Sequence, residues 1–366
     1  MSLILSLLGI LLIVIVLWDT FETIILPRRV TRRLRLTSVL YKVAWTPWSA
    51  FARRVGNKKR REKYLGLFGP LSLLMLLMFW AVALILGYAL LHWANATGLN
   101  VPPGTASFGT YLYLSGVTFF TLGYGDVAPI GQLGRTLAVF EAATGLGLLA
   151  VVIGYLPVLY QAFSRREMNI SLLDARAGSP SSATELLRRH GESGHLDDLA
   201  TLLHEWERWS AELLESHLSY PVLCFFRSQH DNQSWLSSLT TILDTCALVM
   251  VGVDGAPAWQ ARLTFAMSRH AVVDIAQIFN TAPSAPLSCS SRLSSEDLIR
   301  LRKILVETGV PLRDGGDADR RLSELRAMYE PYVFALSEML LMPLPPWILG
   351  ADGIDNWKTS AWGRIQ

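Results

Sequence analysis

Hydrophobic positions are concentrated in three long runs within the first 163 residues of the chain. Residues 1–18 and 65–91 carry no charged side chain, and residues 136–163 carry one, Glu141. A helix needs about 20 mostly apolar residues to cross the hydrocarbon core of a bilayer. The pattern therefore predicts three transmembrane helices. The first has no basic start or cleavage site of a signal peptide, so we expect it to be retained and to extend to Leu26.

A strongly basic segment separates the first two runs. Residues 27–64 carry 13 Lys and Arg side chains and one acid, Glu62. Positive residues stay on the cytoplasmic side of a membrane, so we expect the N-terminus outside and the C-terminal half in the cytoplasm, with the chain in a plasma or inner membrane. Residues 34–55 form an amphipathic pattern, which predicts a surface helix that contacts anionic lipids. Its apolar face consists of Leu36, Val39, Leu40, Val43, Trp48, Phe51 and Val55.

Two charged patterns near the first run allow a functional or an ordinary interpretation. Arg29, Arg32 and Arg35 recur at every third residue, as in a voltage sensor, but they follow Pro27 outside any apolar run, and three spans are too few for a sensor domain. Asp19 and Glu22 are acids at the inner end of the first span. We interpret them as an interfacial pair near the arginines rather than as functional intramembrane acids.

The C-terminal half is more polar and acidic. Residues 1–163 have a net charge of +9 and residues 164–366 a net charge of −6, while the mean hydropathy of the whole chain is +0.32. All three cysteines fall in this half, which indicates reduced thiols in a cytoplasm. A capping box at Ser182–Glu185 predicts a helix to Gly191. Further helices are predicted over residues 196–218, 233–250, 258–279, 295–308 and 319–342.

Other functions of this half are not favoured by its sequence. It contains neither alternating strands nor a Gly-rich phosphate turn, which argues against a dinucleotide-binding domain. His217, His230 with Asp231, and His270 with Asp274 are candidate metal or proton groups, but a metal needs several ligands that converge in space. We interpret them as ordinary helical histidines and leave the ligand of the domain open.

The segment between the second and third runs carries the most specific signal. Phe108–Thr121 is too short to cross a membrane and predicts a re-entrant half-helix, followed by TLGYGD at residues 121–126. Two glycines around a tyrosine suit neither helix nor strand. Irregular backbone at membrane depth is tolerated only where it is buried in protein or lines a water-filled path. The partly negative C-terminus of the half-helix would favour a cation there.

The stretch from Thr118 to Asp126 resembles the selectivity filter of potassium channels, and residues 66–163 resemble their helix–pore loop–helix unit. This resemblance implies a homotetramer in which filter residues bind potassium through backbone oxygens. Leu122 replaces the commoner Val, and the aromatic Tyr124 is retained. The ion-binding residues implied are Thr121, Leu122, Gly123, Tyr124 and Gly125, with potassium at the first four.

The resemblance also assigns residues that support and gate the filter. Thr118, Asp126, Tyr113 and Glu141 are the supporting set. Val117 stands where some members of the family have an acid that bonds to this aspartate, so we expect Tyr113 to donate to Asp126 instead. Glu141 either braces the pore helix or faces the cavity. The gating set is Gly145, Leu149, Ile153, Gly154, Pro157 and Tyr160, with Gly145 as a hinge, Pro157 disturbing the helix, and the apolar members lining the cavity.

Taken together, these patterns predict an all-α membrane protein. Its predicted parts are a transmembrane helix (1–26), a basic amphipathic linker (27–64), a pore domain (65–163) and a cytoplasmic helical domain (164–366). We expect a passive potassium channel that is not an enzyme, needs no cofactor and binds no nucleic acid. The alternatives are a receptor or enzyme-like sensor whose tail is the active part, and a subunit of a potassium transporter, although a transporter carries four filter loops in one chain.

Overall fold

The computed structural model describes residues 2–26, 36–102, 104–230, 232–253, 255–279, 281–283 and 292–350. Within these ranges the chain is helical and has no β-strand. Its only extended pairings there are two isolated bridges, Leu99 with Pro129 and Val253 with Leu312. The predicted all-helical fold is therefore confirmed. Arg29, Arg32, Arg35, Asp231 and Cys289 lie outside the described residues.

The described part of the N-terminal half contains five α-helices. They are α1 (Ser2–Thr20), which continues as a π-helical turn (Phe21–Ile25), α2 (Leu36–Arg54), α3 (Lys58–Ala94), α4 (Phe108–Phe119) and α5 (Gln132–Ala177). The helix α5 continues through Pro157, so the proline does not interrupt it. It also continues to Ala177, past residue 164, where the sequence analysis began the cytoplasmic helical domain.

The C-terminal half contains seven further α-helices among the described residues. They are α6 (Ala183–Glu192), α7 (Asp198–Ser219), α8 (Trp235–Gly252), α9 (Ala258–Ile278), α10 (Ser295–Glu307), α11 (Gly316–Ala327) and α12 (Glu330–Leu340), with a 3-10 turn at Pro221–Phe225. Ser182 caps α6, since its side chain accepts a hydrogen bond from the Glu185 amide. The single helix predicted over residues 319–342 is wrong, because Pro331 lacks an amide proton and lies in the first turn of a new helix, α12.

The chain forms two compact units. Unit 1 comprises residues 1–54 and 67–161, and unit 2 comprises residues 55–66 and 162–366. The predicted linker, 27–64, is therefore divided between the units. Within the described residues, four helical segments are long and apolar enough to cross a membrane: Ser2–Ile25, α3, α5 and α8. The apolar window of α8 is 89% buried inside the chain, and this helix forms the core of unit 2.

In unit 1, α1 packs closely against α3 at two glycines. A Cβ on Gly9 would lie 2.8 Å from the carbonyl oxygen of Gly87, and a Cβ on Gly87 would lie 2.7 Å from Ile13. Small residues allow this close approach. Helices in a membrane associate through such van der Waals packing, because lipid is itself apolar and provides no hydrophobic driving force between them. The buried side chains around the contact include Val16, Leu84 and Trp80. The first span is thus part of the pore unit.

The acids at the end of α1 are buried within the chain. Asp19 is 4% exposed and accepts hydrogen bonds from the Thr37 amide and hydroxyl, the latter at 2.6 Å, and from Trp80 Nε1 at 2.9 Å. Glu22 accepts from Trp18 Nε1 at 2.7 Å. Hydrogen bonds from α1, α2 and α3 therefore supply the partners of these acids, while their position at the membrane interface stays a prediction.

Unit 2 is held together by helix packing and by one buried ionic cluster. Arg292 Nη2 lies 2.5 Å from Asp244 Oδ2, and Arg292 Nη1 lies 3.3 Å from Glu330 Oε1. The hydroxyl of Tyr329 also donates to Asp244. The guanidinium groups of Arg292 and Arg326 both lie 5.5 Å from the ring centroid of Trp347. These contacts hold the C-terminal segment after α12 against the domain core.

The start of α3 belongs to unit 2 as well. Arg227 Nη1 lies 3.3 Å from Glu62 Oε2, and it also donates to the carbonyl oxygen of Leu341 at 3.1 Å. Burial lowers the pKa of Arg227 to about 10, and Glu62 opposes this shift. The only acid in the basic segment is therefore paired with the C-terminal domain.

Candidate ion-conduction site

The half-helix predicted before the filter is α4. Ser107 and Thr110 form a reciprocal capping box at its start, although the contacts are on the surface of the chain. At its other end the amide of Thr121 donates to the carbonyl oxygen of Thr118 at 3.0 Å, and the amide of Leu122 donates to that of Val117 at 2.8 Å. The chain thus leaves α4 through hydrogen-bonded turns at the C-terminus of the helix. Residues 121–126, called the filter segment below, begin there.

Along the filter segment, every second residue has a positive φ angle. The φ angles are +54° at Thr121, +60° at Gly123 and +79° at Gly125, while Leu122 and Tyr124 are not in the positive region. Two of the three positions are glycines, which adopt this region without a Cβ penalty. Thr121 is unusual, since a β-branched residue rarely has a positive φ. Such strain occurs where the surrounding structure imposes a functional conformation.

Every residue from Phe120 to Asp126 is exposed in the single chain. The exposed fraction reaches 53% for Leu122 and 67% for Tyr124. The inner helix α5 is similar, because only 11% of its apolar window is buried within the chain, compared with 50% for α3. A large apolar surface of this kind marks a contact with lipid or with other chains.

Hydrogen bonds hold the C-terminal end of the filter segment. The Tyr113 hydroxyl donates to Asp126 Oδ2 at 2.8 Å, which is the donor that the sequence analysis expected. Asn100 was not anticipated: its Oδ1 accepts from the Ala128 amide at 2.5 Å and its Nδ2 donates to the carbonyl oxygen of Gly125 at 3.3 Å. Nothing in the local sequence around Asn100 indicated this contact, because its partners lie more than twenty residues further along the chain.

Glu141 is fully buried and contacts the pore helix. Its Oε1 is hydrogen-bonded to the Ser115 hydroxyl on α4, and its Oε2 lies 3.9 Å from His92 Nε2 on α3. Of the two positions considered for Glu141, the structure has the one that braces the pore helix. Ser115 and His92 were not identified from the sequence, since their contacts with Glu141 join residues far apart in the chain.

The residues assigned to gating differ in their surroundings. Gly145 contacts the end of the pore helix, because a Cβ there would lie 2.1 Å from the carbonyl oxygen of Phe119. Gly154, by contrast, has open space around its Cα. Leu149, Ile153 and Tyr160 on α5 are exposed in the single chain. Gly145 therefore has a packing role that the sequence analysis did not consider.

The histidines and acids of unit 2 do not converge. Among the described residues no group of three or more His, Cys, Asp or Glu side chains could hold a metal ion. His270 Nε2 lies 3.7 Å from Asp274 Oδ2 on the surface of α9. His217 is fully buried, and its Nδ1 is hydrogen-bonded to the Leu213 carbonyl oxygen at 2.7 Å. Burial, followed by the charge of Arg166, lowers the pKa of His217 to about 3.

Comparison of the sequence with known proteins identifies the family of the chain. A model described as "Ion channel" matches residues 74–161, which include α4, the filter segment and most of the flanking apolar helices. The chain is 37% identical over 93 residues to protein LctB of Bacillus caldotenax and 34% identical over 93 residues to protein LctB of Geobacillus stearothermophilus. In both cases the match covers 23% of this chain and 69% of the relative.

A longer but more distant match extends beyond the pore region. The chain is 24% identical over 212 residues to the uncharacterized membrane protein YdjJ of Bacillus subtilis (strain 168). The match covers 57% of this chain and 60% of that relative. No solved structure matches the chain.

Proposed function

Since the chain belongs to the ion channel family, in its two-transmembrane potassium-channel type, we propose that it conducts potassium passively across a membrane. The proposed ion-binding residues are Thr121, Leu122, Gly123, Tyr124 and Gly125. Membership of this family supports a protein that lies in a membrane and forms an oligomer around a permeant ion. Potassium as that ion is the proposal.

One observation carries the proposal: the positive φ angles at Thr121, Gly123 and Gly125. In an ordinary strand successive residues face opposite sides. A positive φ angle at every second residue removes this alternation, so that consecutive carbonyl groups point to the same side. A row of such oxygens replaces the hydration shell of potassium. The pore helix α4 ends next to this row, and its partly negative C-terminus favours a cation.

The proposed assembly is a homotetramer. A single chain contributes one filter segment, which leaves one side of the ion without oxygen ligands. Repeated head-to-tail contacts between identical subunits end only when the ring closes, and four copies give the number of oxygens that the family resemblance implies. The exposed surfaces of Leu122 and Tyr124 and of α5 supply the apolar area that such contacts bury.

The orientation and the gate follow from the same reasoning. We propose that α1, α3 and α5 cross the membrane and that the N-terminus is outside, since Lys58, Lys59, Arg60 and Arg61 at the start of α3 favour the cytoplasm. Unit 2 is then a cytoplasmic regulatory domain. Leu149, Ile153 and Tyr160 line the cavity below the filter, and they close it by dewetting.

Reconstitution of the purified full-length chain into lipid bilayers tests this function. With potassium on one side and sodium on the other, the reversal potential should follow the potassium gradient. Native mass spectrometry in mild detergent should give four chains per particle. A reversal potential that ignores the potassium gradient would refute potassium conduction. A largest species of two chains would refute the tetramer.

A further inference from the structure

Three buried polar side chains meet between α3, α4 and α5 in unit 1. They are His92, Ser115 and Glu141, each 0% exposed. The Ser115 hydroxyl contacts two oxygens, the carbonyl oxygen of Ile85 at 2.8 Å and Glu141 Oε1. His92 Nδ1 lies 3.1 Å from the Thr97 hydroxyl, which belongs to the loop after α3. The cluster thus connects this loop to the pore helix.

The Ser115 hydroxyl contacts two oxygens but has a single proton to donate. The Ser115 hydroxyl has one proton, whereas a carbonyl oxygen and an ionised carboxylate can only accept. If the proton serves the Ile85 carbonyl, the contact between Ser115 and Glu141 needs a proton from the carboxyl group. A protonated Glu141 donates to Ser115, and both contacts are then satisfied.

The two atoms that face each other across the cluster have no hydrogen-bond partner among the described residues. They are His92 Nε2 and Glu141 Oε2, 3.9 Å apart. An ion pair between histidine and a carboxylate normally brings nitrogen and oxygen to about 2.7–2.9 Å. At 3.9 Å no hydrogen bond joins these two atoms, so the structure lacks the close contact that would stabilise two opposite charges here.

The neighbouring groups offer no compensating charge. On α3, Tyr88 interacts electrostatically with Glu141, and its hydroxyl is hydrogen-bonded to Thr144 on α5 at 2.8 Å. On α4, the Tyr111 hydroxyl donates to the carbonyl oxygen of Thr97 at 3.1 Å. His92 is therefore the only cation former among the described groups that face Glu141. A buried carboxylate without a cation is costly.

We propose that Glu141 binds a proton at neutral pH and that this proton is shared in the hydrogen bond between Glu141 and Ser115, with a neutral His92 facing the other carboxyl oxygen. The proton moves between water and the Glu141 carboxyl group, and no other bond changes. With the proton bound, the cluster is neutral and α5 is hydrogen-bonded to the pore helix. Without it, Glu141 becomes a buried anion next to a histidine that must take up a proton or move away.

This inference extends to conduction if the proposed channel function is correct. Ser115 lies on the helix that ends at the filter segment, and Glu141 lies one turn before Gly145, which contacts Phe119. Loss of the proton therefore alters the support of the filter from both helices. We expect potassium current to fall as the pH rises on the side of the Thr97 loop.

Infrared spectroscopy of the full-length protein in lipid tests the proton site directly. The spectrum of the wild type at neutral pH, minus that of Glu141→Gln, should contain the carbonyl stretch of one protonated carboxyl group. The stretch should move to a different frequency in His92→Gln, because the group 3.9 Å from the second carboxyl oxygen is replaced. The absence of this stretch, or a stretch that His92→Gln leaves in place, would overturn the proposal.

Current recordings test its consequence with a matched control. The pH dependence of the wild-type current should be absent in Glu141→Gln and unchanged in His204→Gln, since His204 is an exposed histidine of unit 2. A pH dependence that survives in Glu141→Gln would overturn the link to the filter. If none of the proteins conducts potassium but the infrared stretch behaves as expected, the channel function fails and the proton site stands.

Discussion

Gly145 on α5 and Phe119 at the end of α4 approach so closely that a Cβ on the glycine would lie 2.1 Å from the phenylalanine carbonyl oxygen. The position therefore excludes any larger residue unless the inner helix and the pore helix separate. The family resemblance assigned Gly145 to a hinge. The close contact with Phe119 is a second, steric reason why this position requires a glycine.

We predict that Gly145→Ala destabilises the protein. In most helices the change from Gly to Ala stabilises by about 0.5–1 kcal/mol, but overpacking here should cost about 1–3 kcal/mol. Gly147→Ala is the matched control, since it lies on the same helix with open space around its Cα. Thermal unfolding in detergent should show a lower midpoint for Gly145→Ala alone. Equal midpoints for the two variants would mean that the contact is easily relieved.

Gly123→Ala should reduce the preference for potassium over sodium. The φ of +60° costs a residue with a Cβ about 1–2 kcal/mol, and this cost recurs in every subunit. Gly98→Ala serves as the control, because Gly98 has no positive φ and no atom near its Cα. Bi-ionic reversal potentials measure the effect. Unaltered selectivity in Gly123→Ala would argue that this residue does not shape the ion path.

Tyr113→Phe should shorten the time for which the channel conducts. The substitution removes the hydroxyl that donates to Asp126 Oδ2, and the C-terminal end of the filter segment then loses one of its restraints. Tyr111→Phe is the control, since its hydroxyl bonds to Thr97 instead. Single-channel recordings should show shorter bursts for Tyr113→Phe and an unchanged conductance. Bursts as long as those of the wild type would leave this bond without a role in the filter.

The stability of unit 2 should fall in acid partly because of His217. Its pKa is about 3 in the folded protein and about 6.5 in an unfolded chain. Between these values the unfolded state binds more protons, so stability decreases as the pH falls below about 6.5. His217→Gln should weaken this decrease, whereas His204→Gln, an exposed position on the same helix, should not. Thermal midpoints of the full-length protein at about pH 7 and about pH 5 provide the comparison. Parallel behaviour of all three proteins would contradict the assignment.

Arg292→Met should strongly destabilise unit 2. The change leaves Asp244, which is 1% exposed, without its cation, and breaking a buried ion pair on one side costs about 3–5 kcal/mol. Arg320→Met is the control, because Arg320 pairs with Asp317 at the surface, where both side chains are exposed, and its loss should have little effect. Denaturant unfolding followed by tryptophan fluorescence measures both. A shift in Arg292→Met no larger than in Arg320→Met would show that Asp244 is neutralised in another way.

The parts of the structure that were predictable are those encoded by neighbours in sequence. The TLGYGD segment, the short helix before it and the cap at Ser182 each depend on residues within a few positions of one another. The break before Pro331 was also visible in the sequence, because a proline is expected in the first turn of a helix, and the prediction of one long helix overlooked it.

The parts that were not predictable depend on distant residues. His92 meets Glu141, Asn100 meets Gly125 and Arg292 meets Asp244 across separations that carry no periodic signal. A single histidine or glutamate on an apolar helix has the same local pattern whether it faces lipid, a cavity or a partner. Which of these surroundings a residue has depends on how the helices pack. The surroundings of Asp19 and Gly145 likewise depend on packing and were not indicated by the neighbouring residues in the sequence.

The contact of α1 with α3 has a consequence for biosynthesis. Asp19 is translated early, but Trp80, one of its hydrogen-bond donors, is translated only with the second apolar helix. Gly9 likewise meets Gly87 only after that helix has been made. During synthesis α1 therefore waits for α3 before its acid and its glycine reach their final surroundings.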